Sequence, residues 1–165
     1  MAHDIYLQIE GIKGESTDSQ HQGWIECLSV GFGAFQPASD TASTSGGHTV
    51  GRGKVTDVII TKLTDLSTPL LLQNCVAGKT FAKAKIEFMR ADGDGKPIKY
   101  FEISMENVIL GQVSPAAHEG GGTMLDTVAM KASKAVWTYT QQKIGGGAGG
   151  STAGGWDSAA NKVYA

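Results

Sequence analysis

Cysteine is scarce in this chain. Cys27 and Cys75 are the only two, far apart and with no CxxC pair. They read as buried thiols rather than a bridge, in keeping with a reducing compartment. Neither sign of charge dominates: the net charge is −2 and the pI about 6.0. The surplus of Lys and Arg that neutralises phosphates is missing, which excludes a nucleic-acid binder. No run of about 20 apolar residues occurs, so no membrane-spanning helix and no direct membrane insertion is expected. The opening residues, Met1 to Tyr6, lack a charged region followed by an apolar one. They predict no secretory signal, and hence cytoplasmic residence after synthesis.

Glycine is abundant instead. The 165 residues include 23 glycines, about twice the usual share, clustered at 46–53, 120–122 and 145–155. Such clusters mark loops. Elsewhere apolar residues alternate with polar ones. Ile5, Leu7 and Ile9 share a face, as do Val58 and Ile60. So do Ala82, Ala84, Ile86 and Phe88, and likewise Phe101, Ile103, Met105 and Ile109. This period of two predicts half-buried antiparallel strands. The stretch RADGDGKP, with Asp-Gly twice, predicts a hairpin between the last two. GWIECLSVGF, the run TMLD…TYTQ and GWDSAANK add strands, the long run being two strands or one bent strand. One segment differs. Leu71, Leu72, Cys75 and Val76 form a helical stripe, with Ser67 or Thr68 as cap, Pro69 in the first turn and Gly78 at the end. A helix is predicted at about 67–77. Residues 36–53 and 144–155 show neither pattern and read as a long extended polar loop and a flexible glycine-rich segment. The fold class is therefore mainly β, an antiparallel barrel or sandwich with one flanking helix.

No chemical motif survives inspection. GGHTVGRGK, residues 46–54, resembles a phosphate loop. It lacks the Lys-Ser/Thr pair, has Thr56 where a dinucleotide fingerprint needs glycine, and precedes a strand rather than opening a helix. His118-Glu119 begins an HExxH pattern that ends on Gly122. His3, His21 and His48 are scattered and read as surface or loop histidines. Gly149 to Ala153 misses the last glycine of a nucleophile elbow. Asp92 and Asp94 lack the closing glutamate of a calcium loop, Ile103 standing there. No catalytic residue, cofactor or metal ligand is expected. Trp24, Trp137 and Trp156 read as core or interface anchors, with a sugar platform as the other option.

Several segments in order resemble the Hcp family, the tube-forming secreted proteins of bacterial type VI secretion systems. GIKGESTDSQHQGWIECLSVGFG (11–33) is similar to the family's opening. ITKLTDLSTPLLLQNCVAGKTFAKAKIEFMRA (60–91) is similar to its helix and next strand. YFEISMENVILGQVSPAAHEGGG (100–122), Tyr139 and GWDSAANK continue the likeness. Thr68-Pro69 replaces the family's Ser-Pro, and Asp126, Val128, Met130 and Ala132 stand where it has Glu-x-Val-x-Leu-x-Phe. Ala132 in place of an aromatic raises a packing question that Trp137 is placed to answer.

The resemblance implies a single domain over 1–165 that closes into a homohexameric ring. Rings stack into a tube that a contractile sheath ejects, capped by a VgrG-type spike, with effector proteins in the lumen. Export without a signal peptide to the outside or a target cell follows. Stacking needs a heterologous contact that does not close. A polar loop suits a reversible contact better than an apolar patch. The 36–53 loop is the expected inter-ring element, with Asp40, Ser43, Thr44, Ser45, His48, Thr49 and Arg52 as candidates. Two other classes stay open: a small β-barrel enzyme with a dispersed active site, and a monomeric carbohydrate-binding module.

Overall fold

The computed structural model describes residues 4–43, 47–49 and 51–164, with side chains outside 39–50. Strands β1 (Asp4–Ile9), β2 (Ile25–Cys27), β3 (Ser29–Gly31), β4 (Ala34–Phe35), β5 (Ala38–Ser43), β6 (Gly47–Thr49), β7 (Lys54–Val55) and β8 (Val58–Leu63) precede the helix α1 (Thr68–Ala77). Then follow β9 (Thr80–Ala91), β10 (Pro97–Ala116), β11 (Leu125–Gln142), β12 (Ala148–Asp157) and β13 (Lys162–Val163).

The main sheet runs β13-β12-β11-β10-β9-β1-β2, all antiparallel. β11 is one strand serving two neighbours. Its first half pairs with β8 and its second with β12. Only Leu28 separates β2 from β3, which pair with β1 and β8 respectively. The sheet thus curls into a barrel-like form around Leu7, Ile25, Ile60, Leu71, Ile86 and Ile103.

Alternation holds along most strands but changes phase at one level. Asn107 takes φ +52°, after which Val108 and Leu110 point inward and Ile109 is half-exposed. Opposite, β9 buries Ala84 and then Phe81, leaving Ala82 exposed. The expected inward faces of Ile109 and Ala82 are thereby corrected. The residue with left-handed backbone turns the pleat over. Ala132 and Ala135 occupy this level of β11, and Phe32 and Trp137 fill the space beside them to within a cavity of about 20 Å³.

Helix α1 begins at Pro69's turn and ends where Gly78 adopts φ +65°, its N–H reaching Cys75 O and that of Lys79 reaching Asn74 O. Leu71 and Cys75 face the core, and the Cys75 thiol meets Leu110 O at 3.4 Å. Leu72 and Val76, expected on the same stripe, are exposed. Neither Ser67 nor Thr68 caps the helix with its hydroxyl, because both are drawn into an ionic cluster beneath it.

Two glycines are fixed by close approach. A Cβ on Gly14 would lie 2.4 Å from Trp24 O, and one on Gly155 would lie 1.6 Å from Tyr164 O. Overpacking against backbone costs about 1–3 kcal/mol. Gly14→Ala is expected to lower stability by at least that much in urea titration. An unchanged midpoint would show that the 13–24 segment packs less tightly than described.

Candidate functional site

Residues 36–53, read as a structureless loop, carry a second small sheet. β5 and β6 pair antiparallel, Ala38 with Thr49 and Ser43 with Gly47. Among the described strands they pair only with each other. The ribbon is held at its root. β4 pairs with β7, Thr56 N–H donates to Gly33 O, and Gln36 Nε2 donates to Gly51 O at 2.7 Å. Of the candidate residues, Thr44 and Ser45 lie outside the described residues, as do the side chains of Asp40, Ser43, His48 and Thr49. Arg52 is exposed and faces its own chain. Its Nε donates to Asn161 Oδ1 at 2.9 Å and its other arm to Ser158 O. It ties the ribbon's exit to the turn between β12 and β13. In chain order strands β7 and β8, not a helix, follow the glycines of GGHTVGRGK.

Beside this root lies a cleft of about 610 Å³. Phe35 and Val55, from β4 and β7, and Trp137 and Trp156, from β11 and β12, line it together with Arg52 and Lys54. The register of β11 and β12, Ala135 with Trp156, brings the two tryptophans together. The glycine-rich 144–155 segment, expected to be flexible, is largely strand β12, templated by β11. A second surface is the outer face of β3, β8, β11 and β10. There Ser29, Thr61, Thr127 and Ser114 form a hydroxyl row, flanked by exposed Ile59, Leu63 and Leu125.

Two buried polar clusters lie within the fold, and the sequence did not announce them. Lys62 and Asp126 are both 0 % exposed and meet at 2.9 Å. Lys62 Nζ also reaches Asp65 Oδ1 at 2.8 Å, and Thr64 and Thr68 donate to Asp126. Burial by itself raises the Asp126 carboxyl. Hydrogen bonds from Thr68, Lys62 and Thr64, with the Lys62 charge, outweigh it and hold the group below the usual carboxylate range. The signal was one of phase: Lys62 alternates with Val58 and Ile60, and Asp126 with Val128 and Met130. In the other cluster His21, expected to be a surface or loop histidine, lies in a loop but is 1 % exposed. Its Nδ1 meets Asp18 at 2.7 Å and its Nε2 meets Glu87 at 2.6 Å. The ring stacks on Tyr6 at 4.2 Å and meets the Trp24 ring edge-on. Both nitrogens are engaged, so the ring offers no lone pair to a metal. Burial first, then the charges of Asp18, Asp4 and Glu26, push the Tyr6 hydroxyl up to about 12. Burial also pushes the Cys27 thiol up to about 12, which makes it inert at neutral pH.

The other motifs are turns. Asp92 Oδ1 accepts from the N–H groups of Asp94 and Lys96, and these bonds, Lys96 first, hold its carboxyl below the usual range. Gly121 N–H closes a turn on His118 O. Among the described residues no group of His, Cys, Asp and Glu is arranged to hold a metal.

Acid should loosen the helix anchor. The carboxyls of Asp18, lowered chiefly by its His21 hydrogen bond, and of Asp126 are depressed in the fold. Their contribution is complete above the unfolded value of about 3.9 and is lost as pH falls through the folded values. Urea midpoints are expected to fall steeply below about pH 4, and less steeply in Lys62→Met/Asp126→Leu. Equal slopes would deny Asp126 this role.

Comparison with known proteins agrees with this architecture. The family model described as "Type VI secretion system effector, Hcp" matches residues 6–139. Protein hcp1 of Pseudomonas aeruginosa is 31% identical over 158 residues, covering 95% of this chain and 96% of that protein. A solved structure of a type six secretion system protein superposes with TM-score 0.90 at 27% identity, covering 99% of this chain and 100% of that one. Hcp1 from Salmonella typhimurium gives TM-score 0.78 at 30% identity, with coverage of 99% and 100%. The family-model match and the likeness to that relative, in agreement with the barrel-like sheet and helix α1, show that this chain belongs to the Hcp family of type VI secretion system proteins.

Proposed function

We propose that the chain is the repeating subunit of a type VI secretion tube. Six copies close into a ring and rings stack head to tail. A contractile sheath drives the tube outward behind a VgrG-type spike, with effector proteins in its lumen. The chain then leaves the cytoplasm for the outside or a target cell. Family membership supports a tube protein. One structural observation carries the finer reading: the β5–β6 ribbon is anchored at its root yet joins no other described strand. Such an extension adds little to its own protomer and suits a contact with another. The hydroxyl row Ser29, Thr61, Thr127 and Ser114 across β3, β8, β11 and β10 suits a lumen wall that lets differing cargoes pass, since none of these four side chains carries a charge to trap them.

Replacing residues 40–50 by a short turn is expected to leave rings intact in native mass spectrometry while tubes vanish from electron micrographs. Full tubes from the shortened chain would refute the ribbon's role.

A further inference from the structure

The cleft beneath the ribbon has a matching projection at the other end of the same strand. Ile144 is fully exposed in the turn between β11 and β12, which Lys143 and Gly147 close. The β9–β10 turn lies against it: a Cβ on Gly146 would sit 3.2 Å from Asp94 Oδ2, and one on Gly93 would sit 3.8 Å from Ile144 O. The tip therefore presents an apolar side chain beside a carboxylate. Lys143 and Lys96 stand at the bases of the two turns, where their backbone groups close them. The cleft presents the complement. Its lining includes Phe35, Val55, Trp137 and Trp156, its charged residues are Arg52 and Lys54, and no carboxylate among the described residues lines it.

Strand β12 runs from Ala148, next to the tip, to Trp156, in the cleft. At about 3.3 Å per residue these ends are about 26 Å apart, so a chain cannot fill its own cleft with its own Ile144. A contact of tip with cleft is heterologous and directed along the strand, so it propagates from copy to copy. We propose that the Ile144 tip of one copy seats in the Trp137–Trp156 cleft of the next, with Asp94 facing Lys54 across the rim. This rests on the tube reading above and names a second inter-ring contact beside the ribbon. An exposed isoleucine followed by three glycines is thereby given a partner surface, and the cleft an occupant.

The test compares wild type with Ile144→Lys, which places a charge at the tip that the basic rim repels. Ring formation is read by native mass spectrometry and stacking by sedimentation and negative-stain microscopy. Rings are expected to persist in Ile144→Lys while stacking falls by a factor of about ten or more. Lys54→Glu should weaken stacking, and Asp94→Lys/Lys54→Glu should restore part of it. In a Cys75→Ser background, a mixture of Ile144→Cys and Lys54→Cys proteins should be joined by a short bismaleimide. Wild-type stacks matched by Ile144→Lys, or stacks without that cross-link, overturn the contact and leave the tube reading standing. A wild type that stays monomeric at every concentration overturns both. Quenching of tryptophan fluorescence by chito-oligosaccharides, with stacking indifferent to Ile144→Lys, assigns the cleft to a saccharide and overturns the contact.

Discussion

Replacing Asp126 with alanine is expected to destabilise the protein by about 3–5 kcal/mol, the usual cost of stranding one charge of a buried pair. Lys62 would keep Asp65, which is only partly buried, and would lose the carboxylate 2.9 Å away at a fully buried site. The hydroxyls of Thr64 and Thr68 would lose their acceptor as well. Because Thr68 is the first residue of α1 and Lys62 is on β8, the loss falls on the joint between helix and barrel. The pair itself need not favour stability over an apolar filling, since desolvation opposes the attraction. Lys62→Met/Asp126→Leu is therefore expected to recover most of the deficit. Urea denaturation of the wild type, both single variants and the double variant gives the coupling. Additive losses would mean that the two side chains do not act as a pair.

His21→Ala should be the second large effect, at about 3 kcal/mol or more. The ring sits between Asp18 and Glu87 and under Tyr6, with one nitrogen against each carboxylate. Its removal leaves a void against Tyr6 and Trp24 and two carboxylates facing each other. Glu87 would keep Lys99 at 3.5 Å, whereas Asp18, half-exposed on its loop, would be left without its main partner. The 13–24 segment is expected to become open to protease before the barrel unfolds. Equal cleavage of wild type and variant would show that other contacts hold the segment, among them the bond from Gly14 N to Gly23 O.

What was legible in the sequence was local. Pro69 and Gly78 bracket the helix because their backbone preferences act within a turn. Alternation located β1, β8, β9 and β10, and failed where Asn107 reverses the pleat, because one residue's φ leaves no hydrophobic signature. The segment AGGSTAGGWD has weak strand propensity and is a strand because β11 supplies its partner. The ribbon likewise exists through pairing of β5 with β6 rather than through an apolar face. His21 was missed because Glu87 is 66 residues away, and the cleft because Trp137 and Trp156 meet only through a register.

Native mass spectrometry of the purified chain reads the proposed ring as a mass. A dominant species at six times the 17.2 kDa chain mass is expected, seen as six-fold rings in electron micrographs. A chain that remains monomeric across the concentration range would contradict it.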